Sequence, residues 1–399
     1  MESLRVIVTG LVGLHPVGGV AWDYLQYVLG LARLGHDVYY HEDTWCWPYH
    51  PVERRHTDDG SYSAAYLRDF FGRYAPELRG RWHYLHLHET SFGMSRAAFD
   101  EVAASADIFL NVSGACMLPE RLSPRCVKVF VDTDPGYNQI VLSERFAWSE
   151  NVERWCASVA AHDEHFTYAE NIDSARCAVP RLGFEWKATR MPIVLEPWDR
   201  LARASAPPGA PWTTVMTWNA FKGRLTYRGV EYRSKDCEFE KLIDLPGRLP
   251  APVKVAVGGV NAPLHRLAAC GWQVVDGPSA SLTPGHYQGF IAGSRGELSP
   301  AKHVYVAMRT GWFSCRSACY LAAGRPVVVQ DTGFAAGLAA GVGIVPFSVA
   351  EEAAAAIAEV EGSYARHARA AREIAREYFD SSRVLRRLIE QTWSARTCA

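Results

Sequence analysis

Long apolar runs, paired cysteine motifs, a dinucleotide glycine fingerprint and a surplus of either charge are all missing from this 399-residue chain. Each absence excludes something. No apolar stretch approaches the ~20 residues that a membrane helix needs. The segment Met1-Glu2-Ser3-Leu4-Arg5 leads into a strand without the apolar core of a signal peptide. The expectation is a reduced, cytoplasmic protein with no membrane partner. Ten cysteines stand at irregular spacing with no C-x-x-C pair, so neither a zinc ribbon nor a disulfide framework is readable. Lys plus Arg total 42 against 43 for Asp plus Glu, and the net charge of −1 gives no long-range pull toward nucleic acid. Gly10, Gly13, Gly18 and Gly19 do not spell G-x-G-x-x-G, which counts against an NAD-dependent oxidoreductase.

What is present is a globular composition, 48% hydrophobic and 21% charged, long enough for two domains. Arg5 to Thr9 is a β-branched run suited to a strand buried on both faces. A glycine-bearing loop follows. From Ala21 to Leu34 the apolar Trp22, Leu25, Leu29 and Ala32 then recur at helical spacing. Gly35 suits a helix C-cap, and Asp37 to His41 resumes as a strand, so the opening unit is β-loop-α-β in a parallel sheet. Strand-like runs recur at Tyr84 to His88, Ile108 to Val112, Val127 to Asp132 and His165 to Tyr168, with helical stretches at Arg96 to Ala106 and Trp148 to Ala161. Prolines and small residues across 196–212 read as a linker. The pattern restarts with strands at Thr214, Lys254, Gln273, Val327 and Ile344 and a helix at Cys315 to Ala323. The tail is helical, broken near Asp380-Ser381-Ser382. The fold class expected is α/β, with Rossmann-like domains at 1–195 and 213–378 facing across a cleft. A C-terminal helix, 379–399, packs back toward the first domain.

Two segments resemble the GT-B glycosyltransferases: Gly13-Leu14-His15-Pro16 with Gly35-His36-Asp37-Val38, and Gly311 to Val328, which contains Ala322-Ala323-Gly324-Arg325-Pro326-Val327-Val328. The resemblance implies sugar transfer from a nucleoside diphosphate sugar, such as a UDP or TDP donor, to a small-molecule acceptor of the natural-product type. It implies no separate cofactor. Retaining members carry two glutamates eight positions apart; here those positions are Gly311 and Cys319, which favours the inverting branch.

Inverting transfer needs a base and an offset for the charge of the leaving diphosphate. His15 sits in the first β-to-α loop, where the resemblance places a base and where its ordinary pKa near 6.5 suits the task. Asp132 and Asp134 are the expected partners for its imidazole. They also spell D-x-D, but in this context a metal role is set aside, and the His83-His86-His88-Glu89 and His162-Asp163-Glu164-His165 clusters lack clean ligand spacing. No metal is expected. For the donor, the start of the helix after Ser314 attracts anions, with Arg316 and Ser317 adding donors and Lys222, Arg224 and Lys302 adding charge. The resemblance suggests Asp331, with Thr332 and Gly333, for the sugar. Gly18, Gly19, Trp45 and Trp47 are the expected acceptor surface. An epimerase or phosphorylase on the same fold, or a non-catalytic nucleotide-sugar-binding partner protein, are the alternatives; a homodimer stays open.

Overall fold

The computed structural model describes residues 3–144, 150–219, 225–259 and 261–397. Two sheets organise it. The first contains β1 (Arg5–Thr9), β2 (Asp37–Glu42), β3 (Trp82–His86), β4 (Thr90–Gly93), β5 (Ile108–Val112), β6 (Val127–Asp132), β7 (Glu164–Thr167) and β8 (Trp186–Ala188). Their order is β8-β7-β6-β5-β1-β2-β3-β4. The second contains β9 (Trp212–Thr217), β10 (Val253–Gly258), β11 (Gln273–Asp276), β12 (Gly296–Ser299), β13 (Val327–Gln330) and β14 (Ile344–Phe347), ordered β11-β10-β9-β12-β13-β14. This is the strand order of a dinucleotide-type Rossmann sheet, and its order reverses between β9 and β12. In the first sheet the reversal lies between β1 and β5.

The central strands are apolar on both faces because helices cover both faces. Val6, Ile7 and Val8 are fully buried, with Val6 opposite Val38 on one side and Ile108 on the other. The second sheet is parallel throughout, as its pattern predicts. The first departs at one edge. The run expected at Tyr84 to His88 ends at His86, and Leu87 (φ 51°) and His88 (φ 63°) turn the chain into β4, antiparallel to β3. Three strands of the two described sheets escaped the sequence reading, β4, β8 and β12. In β12 the buried Glu297 makes Gly-Glu-Leu-Ser look like a surface segment, although all four residues are buried.

Helix α1 (Gly18–Arg33) follows β1, and Gly35 at φ 90° ends it as expected. The stretch expected as a linker is not wholly irregular: α2 (Glu196–Arg203) occupies its first half before the Pro-rich run to β9. Further on, α3 (Pro284–Ala292) and α4 (Cys315–Ala322) precede α5 (Ser381–Thr397). The chain returns to the first half through a short parallel bridge, in which Ile193 N–H donates to Phe379 O and Ser381 N–H to Ile193 O. There α5 lies along α1. A Cβ at Gly30 would stand 2.4 Å from Leu385 Cδ1, so glycine is what lets the helices approach. Leu385, Leu388 and Ile389 are buried in that contact, each stabilising by roughly 1.5–3 kcal/mol.

One apolar cluster runs from β1 through α1 (Trp22, Leu25) into α3 and α4 (Tyr287, Ala318, Leu321), so the two halves share core. Another fills the second sheet around Trp212 and Phe239. A further one joins Phe130 and Ile140 of the first half to Leu225, Tyr232, Val304 and Met308 of the second.

Candidate functional site between the sheets

At the reversal point of the second sheet, α4 starts beside the ends of β12 and β13. Ser314 is its N-cap residue (φ −70°, ψ 132°), and its hydroxyl makes no capping bond. The first helical N–H groups have no carbonyl within the helix to bond. Ser299, Trp312, Ser314, Ser317, Gln330 and Thr332 border a cavity of about 10 Å³ at this end, room for about one water. Ser317 Oγ is fully buried there with no hydrogen-bond partner among the described residues. An orphan hydroxyl beside a helix N-terminus costs stability unless something polar fills the space.

Among the described residues, three cations gather nearby. Arg316 is not open to a phosphate as the sequence suggests. Its guanidinium donates to Glu297, to Val215 O at 2.6 Å and to Ser299 Oγ at 2.7 Å, tying α4 to β9 and β12. Lys302 likewise pairs with Asp134 of the first half, and Tyr305 donates its hydroxyl to the same carboxylate. The third cation was not anticipated. Lys235 is buried, 9% exposed, and no described residue gives it an acceptor or a carboxylate. Burial pushes its ammonium well below the lysine range; Arg316 and Lys302 push the same way, while Glu297 and Asp134 oppose. Its sequence context, Arg233-Ser234-Lys235-Asp236, looks like an ordinary solvated charge run, and only the fold reveals its burial. Lys222 and Arg224 lie outside the described residues.

Asp331, Thr332 and Gly333 close the far side. Asp331 accepts the Gly333 N–H at 2.7 Å and stands 3.7 Å from Arg309, and Thr332 donates to Trp312 O at 2.6 Å. The Gly333 carbonyl accepts from Asn171 of the first half at 3.0 Å. These residues shape the loop against the other half, and only Thr332 borders the cavity.

Across the cleft, the first sheet presents carboxylates. Glu42, fully buried at the end of β2, accepts from Gly13 N–H at 2.7 Å, Leu14 N–H at 2.6 Å and Tyr40 Oη at 2.8 Å. It therefore fixes the loop that carries His15, itself half-buried with its N–H on Leu11 O at 2.8 Å. Burial raises Glu42 to about 7 despite those donors. Asp132 does not orient His15. Its carboxylate is filled by Asn138 Nδ2, Gln139 Nε2 and Thr167 Oγ1, each at 2.7 Å, and by Asp134 N–H at 3.0 Å. Asp134 is likewise taken, by the second half. Asp23 on α1 is a carboxylate that sequence reasoning passed over. It makes no hydrogen bond or ion pair with a described residue, and burial raises it to about 7 while Arg316 opposes the shift.

Gly18 and Gly19 serve contact between the halves rather than an acceptor. Their N–H groups donate to Ser281 O at 2.5 Å and Ser281 Oγ at 2.9 Å, and a Cβ at Gly18 would stand 2.1 Å from Thr283 O. Trp47 is 56% exposed; Trp45 is 39% exposed, its ring stacked on His88 at 3.9 Å. His83, His86 and His88 go to separate partners, Ser91, Asp58 O and Asp43, and among the described residues no group of three potential ligands converges. No helix among the described residues is long and apolar enough to cross a membrane.

No family model and no curated protein sequence matches this chain. Solved structures do. An alpha-glucosyltransferase in complex with UDP and a 13-mer DNA superposes with a TM-score of 0.58 at 11% identity, over 98% of this chain and 100% of that one. HepE of Anabaena, in complex with UDP and glucose, gives 0.57 at 12% identity over 98% and 100%. AviGT4, a glycosyltransferase involved in avilamycin A biosynthesis, gives 0.51 at 11% identity over 99% of each chain. The chain has their GT-B fold.

Proposed function

We propose that this chain is a glycosyltransferase that moves a sugar from a nucleoside diphosphate donor to a small-molecule acceptor with inversion. The observation that carries the reading is Lys235, a buried cation with no hydrogen bond or ion pair among the described residues, within electrostatic reach of Arg316, which lies on the same helix as the Ser317 hydroxyl. A buried unpaired ammonium is costly unless an anion completes it. A diphosphate at this point would accept from Lys235, Ser317 and the first N–H groups of α4, at the reversal point where doubly wound sheets bind nucleotides.

In the reaction the acceptor oxygen forms a bond to the anomeric carbon as the bond from that carbon to the diphosphate oxygen breaks. The electron pair leaves with the diphosphate, whose growing charge Lys235 and the helix end offset. His15 takes the acceptor proton, held in place by the Glu42 clasp on its loop. A second reading of the base rests on Asp23, whose carboxylate has no described partner and is raised to about 7. The cavity, lined by second-half residues, holds about one water, so a diphosphate needs this end of α4 to open. The near-neutral balance of charge favours a small acceptor over a polyanion such as DNA.

Thermal unfolding with UDP, TDP and their sugars tests the reading. A diphosphate at ~100 times its dissociation constant adds about 2.7 kcal/mol to the folded state. Stabilisation by a diphosphate that is lost in Lys235→Met supports the site; equal stabilisation of both proteins refutes it.

A further inference from the structure

The geometry points to a second binding site: a cavity of about 470 Å³ at the seam between the halves, suited to a flat, ring-bearing acid as the acceptor. This inference rests on the transferase reading and supplies its acceptor class. One wall is Val179 and Pro180, from the loop that follows β7. The other is a hairpin of the second half, Leu225–Tyr227 paired antiparallel with Val230–Tyr232, contributing Tyr227, Arg228, Val230 and Tyr232. The size falls within the range of small-molecule pockets, roughly 300–1,000 Å³.

The hairpin is built to project. Its root is anchored by Leu225 and Tyr232, which pack with Val304, Tyr305 and Met308 and with Phe130 and Ile140 of the first half. Its turn, Arg228 at φ 50° and Gly229 at φ 77°, needs two left-handed residues, a place where Asn-Gly is the unstrained choice. An arginine stands there instead, its guanidinium 5.2 Å from the Tyr227 ring centre and without a carboxylate among the described residues. Val230 beside it is 49% exposed. The hydroxyls of Tyr227 and Tyr232 have no described hydrogen-bond partner. Aromatic and aliphatic walls would take a ring, the phenols a polar edge, and Arg228 an acidic group.

The pocket is close to the donor site along the chain. Tyr232 is three residues from Lys235, about 10 Å along an extended chain. In between, Ser234 O accepts the His303 N–H at 3.2 Å, which fastens this segment beside Lys302. A ring seated against Tyr232 therefore places an attached hydroxyl within reach of the diphosphate cluster. The Trp45–Trp47 loop offers less, since the Trp45 ring is already stacked on His88 with Arg154 over it.

Two dyes of the same ring system test this: 8-anilinonaphthalene-1-sulfonate and its uncharged relative N-phenyl-1-naphthylamine. Fluorescence titration of the full chain is expected to show tighter binding of the sulfonate, by about tenfold. Arg228→Glu removes that preference, Arg228→Lys retains part of it, and Tyr227→Ala weakens both dyes. These side chains are exposed or half-buried, and a cooperative thermal unfolding transition in the same samples reports that each variant is folded. Equal dye affinities in wild type, Arg228→Glu and Tyr227→Ala, or loss of binding only in Trp47→Ala, would overturn the assignment. A wild type that binds the dyes as expected yet gains nothing from any nucleoside diphosphate would instead reject the transferase reading and leave the pocket standing.

Discussion

The two sheet edges that face each other are built alike and differ in the sign of the charge that each leaves without a described partner. Both are loops at the carboxyl ends of parallel strands, flanking a point where strand order reverses. The first-sheet edge offers Glu42, Asp132 and Asp134, with Asp23 on α1; the second offers Lys235, Lys302 and Arg316. Most of these charges are spent on structure. Glu42 clasps a loop, Asp132 ties β6 to β7 and the following helix, and Arg316 is absorbed by Glu297. What remains without a described partner is one carboxylate on one side and one ammonium on the other. Fold alone sets where a site lies, and on the proposed function the unspent groups divide the work: proton handling on the first side, anion binding on the second.

The sharpest break in that comparison is on the cationic side. Lys235→Ala is expected to lower kcat/KM by about 10²–10³, as removal of one charge-stabilising donor does elsewhere, and to abolish stabilisation by UDP. On the acidic side, His15→Ala and Asp23→Asn separate the candidate bases. The true base costs about 10²–10⁴ in turnover with donor binding intact, and the other variant stays within a few-fold. Asp132→Ala tests whether that carboxylate is structural. Four donors lose their acceptor, so urea unfolding should show a loss of ~3 kcal/mol or more, whatever happens to the chemistry.

A smaller effect distinguishes Glu42. Its folded value of about 7 lies above the ordinary glutamate value of 4.5, so between those values the folded state holds more proton than the unfolded one. Its contribution is full below about 4.5 and is lost as pH rises through 7. The stability of wild type relative to Glu42→Gln should therefore decline from pH 5 to pH 8, by ~2.5 kcal/mol, in parallel denaturant titrations. A difference that grows with pH would mean that the three donors, not burial, govern this carboxylate. The least effect is expected at Trp47, where replacement by Ala on an exposed loop should change stability by less than about 0.5 kcal/mol.

The sequence made the skeleton legible because buried parallel strands and a capped helix leave strong local marks. Val6 to Val8, the helix ending at Gly35 and the strand Val327–Gln330 all stand where their patterns place them. It hid β12, since Glu297 is buried only by virtue of Arg316, a partner nineteen positions away. The same cause explains the site errors. Arg316, Asp132 and Asp134 have the right chemistry and lie at strand or helix ends, yet each is consumed by a partner that sequence order does not reveal. Conversely, Lys235 and Asp23 look like ordinary surface charges until tertiary packing buries the first and half-buries the second. Gly18 and Gly19 resembled a binding loop because close approach to Thr283 demands the same residue type as close approach to a ligand.

The most direct measurement is a crystal structure with UDP bound. The account predicts a phosphate oxygen about 3 Å from Lys235 Nζ and from Ser317 Oγ, at the opening turn of α4, with this end of the helix opened around it. A diphosphate found elsewhere, with Lys235 still buried and unpaired, would contradict it.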